Sequence, residues 1–152
     1  MALTKIGDAG MPAGSVLQVV TSESTGASGA ISSASYVVVP NFTAASITPS
    51  STSNKILVLV NTSMYNTAAA TEAAYTIYRD STNIGDADGL SRAYTGVDTD
   101  LIAPLSMHVL DSPSSTSSLT YSVYIKRTQT GGTAQINLRG GKQSITLLEI
   151  AG

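Results

Sequence analysis

Runs of about four to eight residues rich in Val, Ile, Thr and Tyr recur along this chain, separated by clusters of Ser, Gly, Pro, Asn and Asp at fairly regular intervals. β-Branched and aromatic side chains suit a pleated, half-buried surface, and short runs bounded by turn residues are the pattern of an all-β sandwich or barrel. The alternation is clearest over 120–126, where Tyr121, Val123 and Ile125 share one face and Thr120, Ser122, Tyr124 and Lys126 the other. Ala73, Tyr75 and Ile77 alternate with Ala74, Thr76 and Tyr78 in the same way, and 134–138 repeats the period. Residues 56–60 are apolar on both faces, which predicts a central strand covered from both sides.

Strands are expected at 15–21, 35–39, 45–48, 55–64, 73–79, 101–110, 119–127, 134–138 and 144–150. Helical periodicity is absent almost everywhere. Residues 66–74 have the most helix-forming composition, yet the segment is short and Thr-rich, and it reads as a loop with at most one helical turn leading into a strand. The expected architecture is one antiparallel β-sandwich over 15–152, jelly-roll-like, with about eight or nine strands. Residues 1–14, with Gly7, Gly10, Pro12 and Gly14 and no strand pattern, form an extended arm before it.

A chain of 152 residues is long enough for one domain with a real core. Only 12% of it is charged, about half the usual share. The missing polar surface is supplied by 22 serines and 19 threonines, more than a quarter of the chain. With a net charge of −2 and eight basic residues scattered along the chain, only Lys126 and Arg127 adjacent, there is no electrostatic footprint for nucleic acid or anionic lipid, so neither is an expected partner. Cysteine is absent, which removes disulfides, thiolate metal sites and cysteine nucleophiles together. The first fourteen residues have no apolar stretch of signal-peptide length, and the longest aliphatic run is 56–60, so neither export signal nor membrane helix is expected.

No set of catalytic residues stands out, and no cofactor is implied. The single histidine, His108, has Asp111 and Ser115 close by in sequence. Three residues so near along one strand and turn do not converge as a triad does, and no Gly-x-Ser-x-Gly elbow exists. Gly140-Gly141-Lys142-Gln143-Ser144 has the look of a phosphate loop, but Gln143 stands where Ser or Thr is needed and no helix follows, so it reads as a hairpin turn. Asp86-Ala87-Asp88-Gly89 places two carboxylates before a glycine turn, with Asp80, Asp98 and Asp100 flanking. Hard oxygen ligands suit Ca²⁺, which makes Asp86 and Asp88 the weak metal candidates. Tyr78 and Tyr124 face away from their strands' buried sets and are candidates for a subunit interface, as are Leu3, Ile6 and Met11 in the arm. Tyr94, in the long 86–100 loop, is the candidate for an outward contact. Pro-Ser-Ser-Thr-Ser occurs at 49–53 and again at 113–117, each time just before a strand, which reads as shared turn chemistry.

Met11-Pro12-Ala13-Gly14-Ser15-Val16-Leu17-Gln18-Val19-Val20 resembles the opening of a compact β domain common in structural proteins of tailed bacteriophages, especially marine ones. Residues 47–58, Ile77-Tyr78-Arg79-Asp80-Ser81-Thr82, Leu110-Asp111-Ser112-Pro113 and the closing 145–151 extend the resemblance in the family's order over most of the chain. Such modules often sit at the distal ends of long fibre proteins. This chain begins at Met1 directly before the domain, without a fibre shaft, which looks more like a capsid-decoration or head-fibre protein, or a separately encoded fibre tip.

The resemblance implies a non-enzymatic virion protein, a homotrimer held to capsid or tail proteins through its arm, made in the host cytoplasm and resident in the particle. One sandwich face would be buried between subunits, with loops 22–35, 66–72 and 86–100 turned outward. A second function class is a lectin-like tail-fibre adhesin that recognises host surface glycans through the acidic loop.

Overall fold

The computed structural model describes residues 11–68, 70–96, 99–129 and 131–152, and no helix occurs among them. The strands in chain order are β1 (Val16–Ser24), β2 (Val37–Val38), β3 (Ala45–Ile47), β4 (Lys55–Asn66), β5 (Thr71–Arg79), β6 (Thr82–Asn83), β7 (Ser91–Thr95), β8 (Leu101–Asp111), β9 (Leu119–Arg127), β10 (Ala134–Ile136) and β11 (Gln143–Ile150). They form two antiparallel sheets. In the first, β1 pairs with β11, β11 with β4 and β4 with β8, while β10 lies in line with β11 against the last residues of β4. In the second, β9 lies between β5 and the collinear pieces β2 and β3, and β5 carries β6 and β7 along its other edge. With collinear pieces taken together, each sheet has four ranks, ordered β1, β11, β4, β8 and β2/β3, β9, β5, β6/β7. That order, threaded back and forth between two sheets, is the jelly roll.

The core follows from the alternation. β9 buries Leu119, Tyr121, Val123 and Ile125, and β11 buries Ile145 and Leu147. To the same core β4 contributes Ile56, Val58 and Val60, and β5 contributes Tyr75 and Ile77. Full burial of an aliphatic side chain of this size is worth about 1.5–3 kcal/mol relative to exposure.

The structure revises several expectations. A single long loop is expected over 86–100, but β7 occupies 91–95 and the short β6 precedes it, so the segment is a bulge followed by a strand. The stretch after Asn66 is a tight β4–β5 connection, with Ala68 and Ala70 at positive φ, and no helical turn occurs among its described residues. Residues 137–142 do not form a hairpin turn. β10 and β11 run in the same direction beside β4, with Ile136 opposite Met64 and Ser144 opposite Asn61, so these residues bulge out of one continuing rank. The end of the arm is not free of the sheet either, because Gly14 N–H donates to Ala151 O and Ala151 N–H to Ser15 O, each at 2.8 Å.

Polarity of the molecule along its long axis comes from the same threading. The arm, the last residues and the β3–β4, β5–β6 and β8–β9 connections share one end, the arm end. The β1–β2, β4–β5, β7–β8 and β9–β10 connections leave from the opposite end.

Candidate functional site

The arm end is closed by two buried carboxylates that flank Ile56 across the first sheet, Glu149 on β11 and Asp111 on β8. Glu149 Oε1 accepts from Ser50 N–H (2.6 Å), Ser50 Oγ (2.7 Å) and Asn54 Nδ2 (2.7 Å), and Oε2 accepts from Gln18 Nε2 (2.6 Å). Burial by itself would raise the pKa of this carboxyl. The hydrogen bonds from Ser50, Asn54 and Gln18 outweigh it and hold the group below its ordinary value. Asp111 takes Arg79 Nη1 on both oxygens, at 2.8 and 2.7 Å, and Tyr121 Oη at 2.7 Å. Burial, then that bond to Asp111, pushes the Tyr121 phenol far above its usual range. The repeated Pro-Ser-Ser-Thr-Ser loops both lie here and share one hydrogen bond, Ser53 N–H to Ser51 Oγ and Ser117 N–H to Ser115 Oγ. This is the short local turn chemistry of serine, with a carboxylate engaged by the first loop.

On the outer face of the second sheet, Tyr78 and Tyr124 stack with ring centroids 3.9 Å apart, and Tyr36 meets Tyr78 edge-on at 6.1 Å. Lys126 Nζ lies 4.5 Å from the Tyr36 ring centre and donates to Ala87 O. Residues 85–89 bulge from the β6–β7 edge onto this face and cover it, so that Ala74 and Thr76 are fully buried although they point away from the core. Asp86 accepts the Asp88 N–H within the bulge, and Asp88 lies 3.6 Å from Arg92. Among the described residues no group of three His, Cys, Asp or Glu is placed to hold a metal ion.

The outer face of the first sheet is different in kind. Register places Val19, Leu148, Leu57 and Leu110 side by side across all four ranks, with Val16 beside Ile150 toward the arm end. One row further on, Leu59 stands between Thr146 and His108. Val16, Val19, Leu59 and Leu110 are 46, 44, 41 and 52% exposed, so residues 56–60 are central in their sheet but bare on one side. The expectation of cover on both faces fails because the jelly roll has two layers, and the second layer covers only the inner side of this sheet. Beyond the band the surface turns hydroxylic, with a shallow depression of about 240 Å³ lined by Leu59, Asn61, Ser106, His108, Ser144 and Thr146.

The sequence candidates are therefore dispersed. His108 points outward and Asp111 inward from the same strand, so His108, Asp111 and Ser115 do not converge. Tyr78 and Tyr124 do come together, on each other. Tyr94 is 53% exposed on the outer side of β7 opposite Glu72. Met11 is exposed at the arm end, while Leu3 and Ile6 lie outside the described residues. The apolar band is the surface that the sequence candidates miss; its signal is the second apolar set, Leu57 and Leu59, alternating with Ile56, Val58 and Val60. No family model matches the chain, and no curated protein matches it in sequence.

Proposed function

We propose that this chain is a non-enzymatic structural protein of a tailed-bacteriophage virion, a homotrimeric capsid-decoration, head-fibre or fibre-tip module attached through its N-terminal arm. The observation that carries the reading is the division of the molecule into two ends. Both described termini enter and leave at one end, which is locked by the Glu149 and Asp111 clusters, and four connections are presented at the other. A module that must be fixed at one point and show a surface at another needs that division. The hydroxyl-rich, weakly charged composition and the resemblance of 11–20 and 47–58 to phage structural domains support the same conclusion.

Imaging of particles that carry a tagged copy, compared with particles lacking the protein, tests it directly. The expected result is density at a defined capsid or tail position that gains the tag and vanishes on deletion. Purified particles with neither the protein nor any missing density overturn the reading.

A further inference from the structure

We infer that the apolar outer face of the β1–β11–β4–β8 sheet is the self-association surface of this protein, and that its occupant is a further copy of the same chain. The inference gives a location to the self-assembly in the functional reading above, but it stands on the surface itself.

Val16, Val19, Leu57, Leu59, Leu110 and Leu148 form one contiguous band across four strands, a distribution unlike the scattered exposed apolar residues of an ordinary surface. Size points to a protein occupant. Four ranks about 4.8 Å apart, with eight to eleven paired residues at about 3.3 Å each, give the whole face, apolar band and hydroxylic part together, an area of roughly 600 Å². One side of a stable interface contributes about 800 Å².

Chemistry points to a copy. The face exposes Lys55 and His108, and its edge carries Glu23 already paired with Lys142 at 2.9 Å, so copies of this face turned toward a common axis meet little like-charge repulsion. Thr21 and Thr146, beside the band, already hydrogen-bond each other at 3.1 Å and lose little on drying. Association through strand edges is disfavoured, because Pro104 removes a donor from β8 and a bulge between Val16 and Gln18 breaks β1. The tyrosine face of the other sheet is covered internally by residues 85–89 and by the stacking of Tyr78 on Tyr124.

Light scattering on the size-exclusion peak of the full chain at tens of micromolar tests this. The expected mass is a multiple of 15.5 kDa. Leu59→Glu combined with Leu110→Glu should give folded monomer, with the β-sheet circular dichroism retained, and Val19→Glu should weaken association at least tenfold. Val38→Glu, equally exposed on the opposite sheet, should leave the mass unchanged. A monomeric unmodified chain, or dissociation by Val38→Glu with none by the Leu59 and Leu110 or Val19 changes, overturns the inference. A monomeric chain would also remove the homotrimer from the functional reading, whereas dissociation by Val38→Glu alone would overturn only the location of the contact; residence in the particle is decided by imaging in either case.

Discussion

The Glu149 carboxylate is fully buried, and its donors Ser50, Asn54 and Gln18 are all neutral. A buried anion held this way depends on every donor pointing at it, because hydrogen bonding must outweigh the loss of water. Its folded pKa lies below the 4.5 of a free glutamate, so the stability it contributes is fully present above about pH 5 and is lost as pH falls through the folded value. Glu72, lowered chiefly by its bond from Thr128, acts in the same direction. Glu149→Gln replaces an acceptor oxygen by an NH₂ facing other donors. Urea denaturation at pH 7 should show a loss of about 1–3 kcal/mol. The same variant should lose less stability than the unmodified protein between about pH 5 and about pH 3; an identical acid response in both would remove Glu149 as a contributor.

At the level of elements, the bulge at 85–89 turns the outer face of β5 into a second buried layer. Gly89 is the residue that permits it. Its φ is +92°, and an added Cβ would stand 2.7 Å from Tyr75 O and 2.8 Å from Tyr36 Oη. Gly89→Ala should therefore destabilise the fold by about 1–3 kcal/mol through left-handed strain and the clash, read as a lower thermal midpoint with greater exposure of tyrosine to solvent. Strands with clean alternation are legible in the sequence, and β9 has the boundaries its pattern implies. β7 is not, because Ser91-Arg92-Ala93-Tyr94-Thr95 buries only Ala93 and Thr95 and so carries little apolar signal. Glu149 is visible as a charge on the buried side of 145, 147 and 149, but Ser50 and Asn54, which satisfy it, lie 99 and 95 positions away. The apolar band is hidden for the same reason. Leu57, Leu110 and Leu148 become neighbours only through the pairing register of strands distant in sequence, and a single sequence carries no record of that register.

On the scale of the whole molecule, the arm end is closed by the Glu149 and Asp111 clusters, the β1–β2, β4–β5, β7–β8 and β9–β10 connections leave from the opposite end, and the outer side of the first sheet is bare. Because the last strand, β11, lies between β1 and β4, neither sheet order nor core is complete until the final residues are in place. The backbones of Gly14 and Ala151 are in direct hydrogen-bond contact, so the covalent order of the chain can be changed without changing its threading. A circular permutant that joins residue 152 to residue 12 through a few glycines, and opens in the β9–β10 connection, should fold to the same sandwich. Its circular dichroism should match the parent's, and its unfolding free energy in urea should lie within about 2 kcal/mol of the parent's. New termini would then emerge from the end opposite the arm, so a fused cargo would be carried away from the Glu149 and Asp111 clusters.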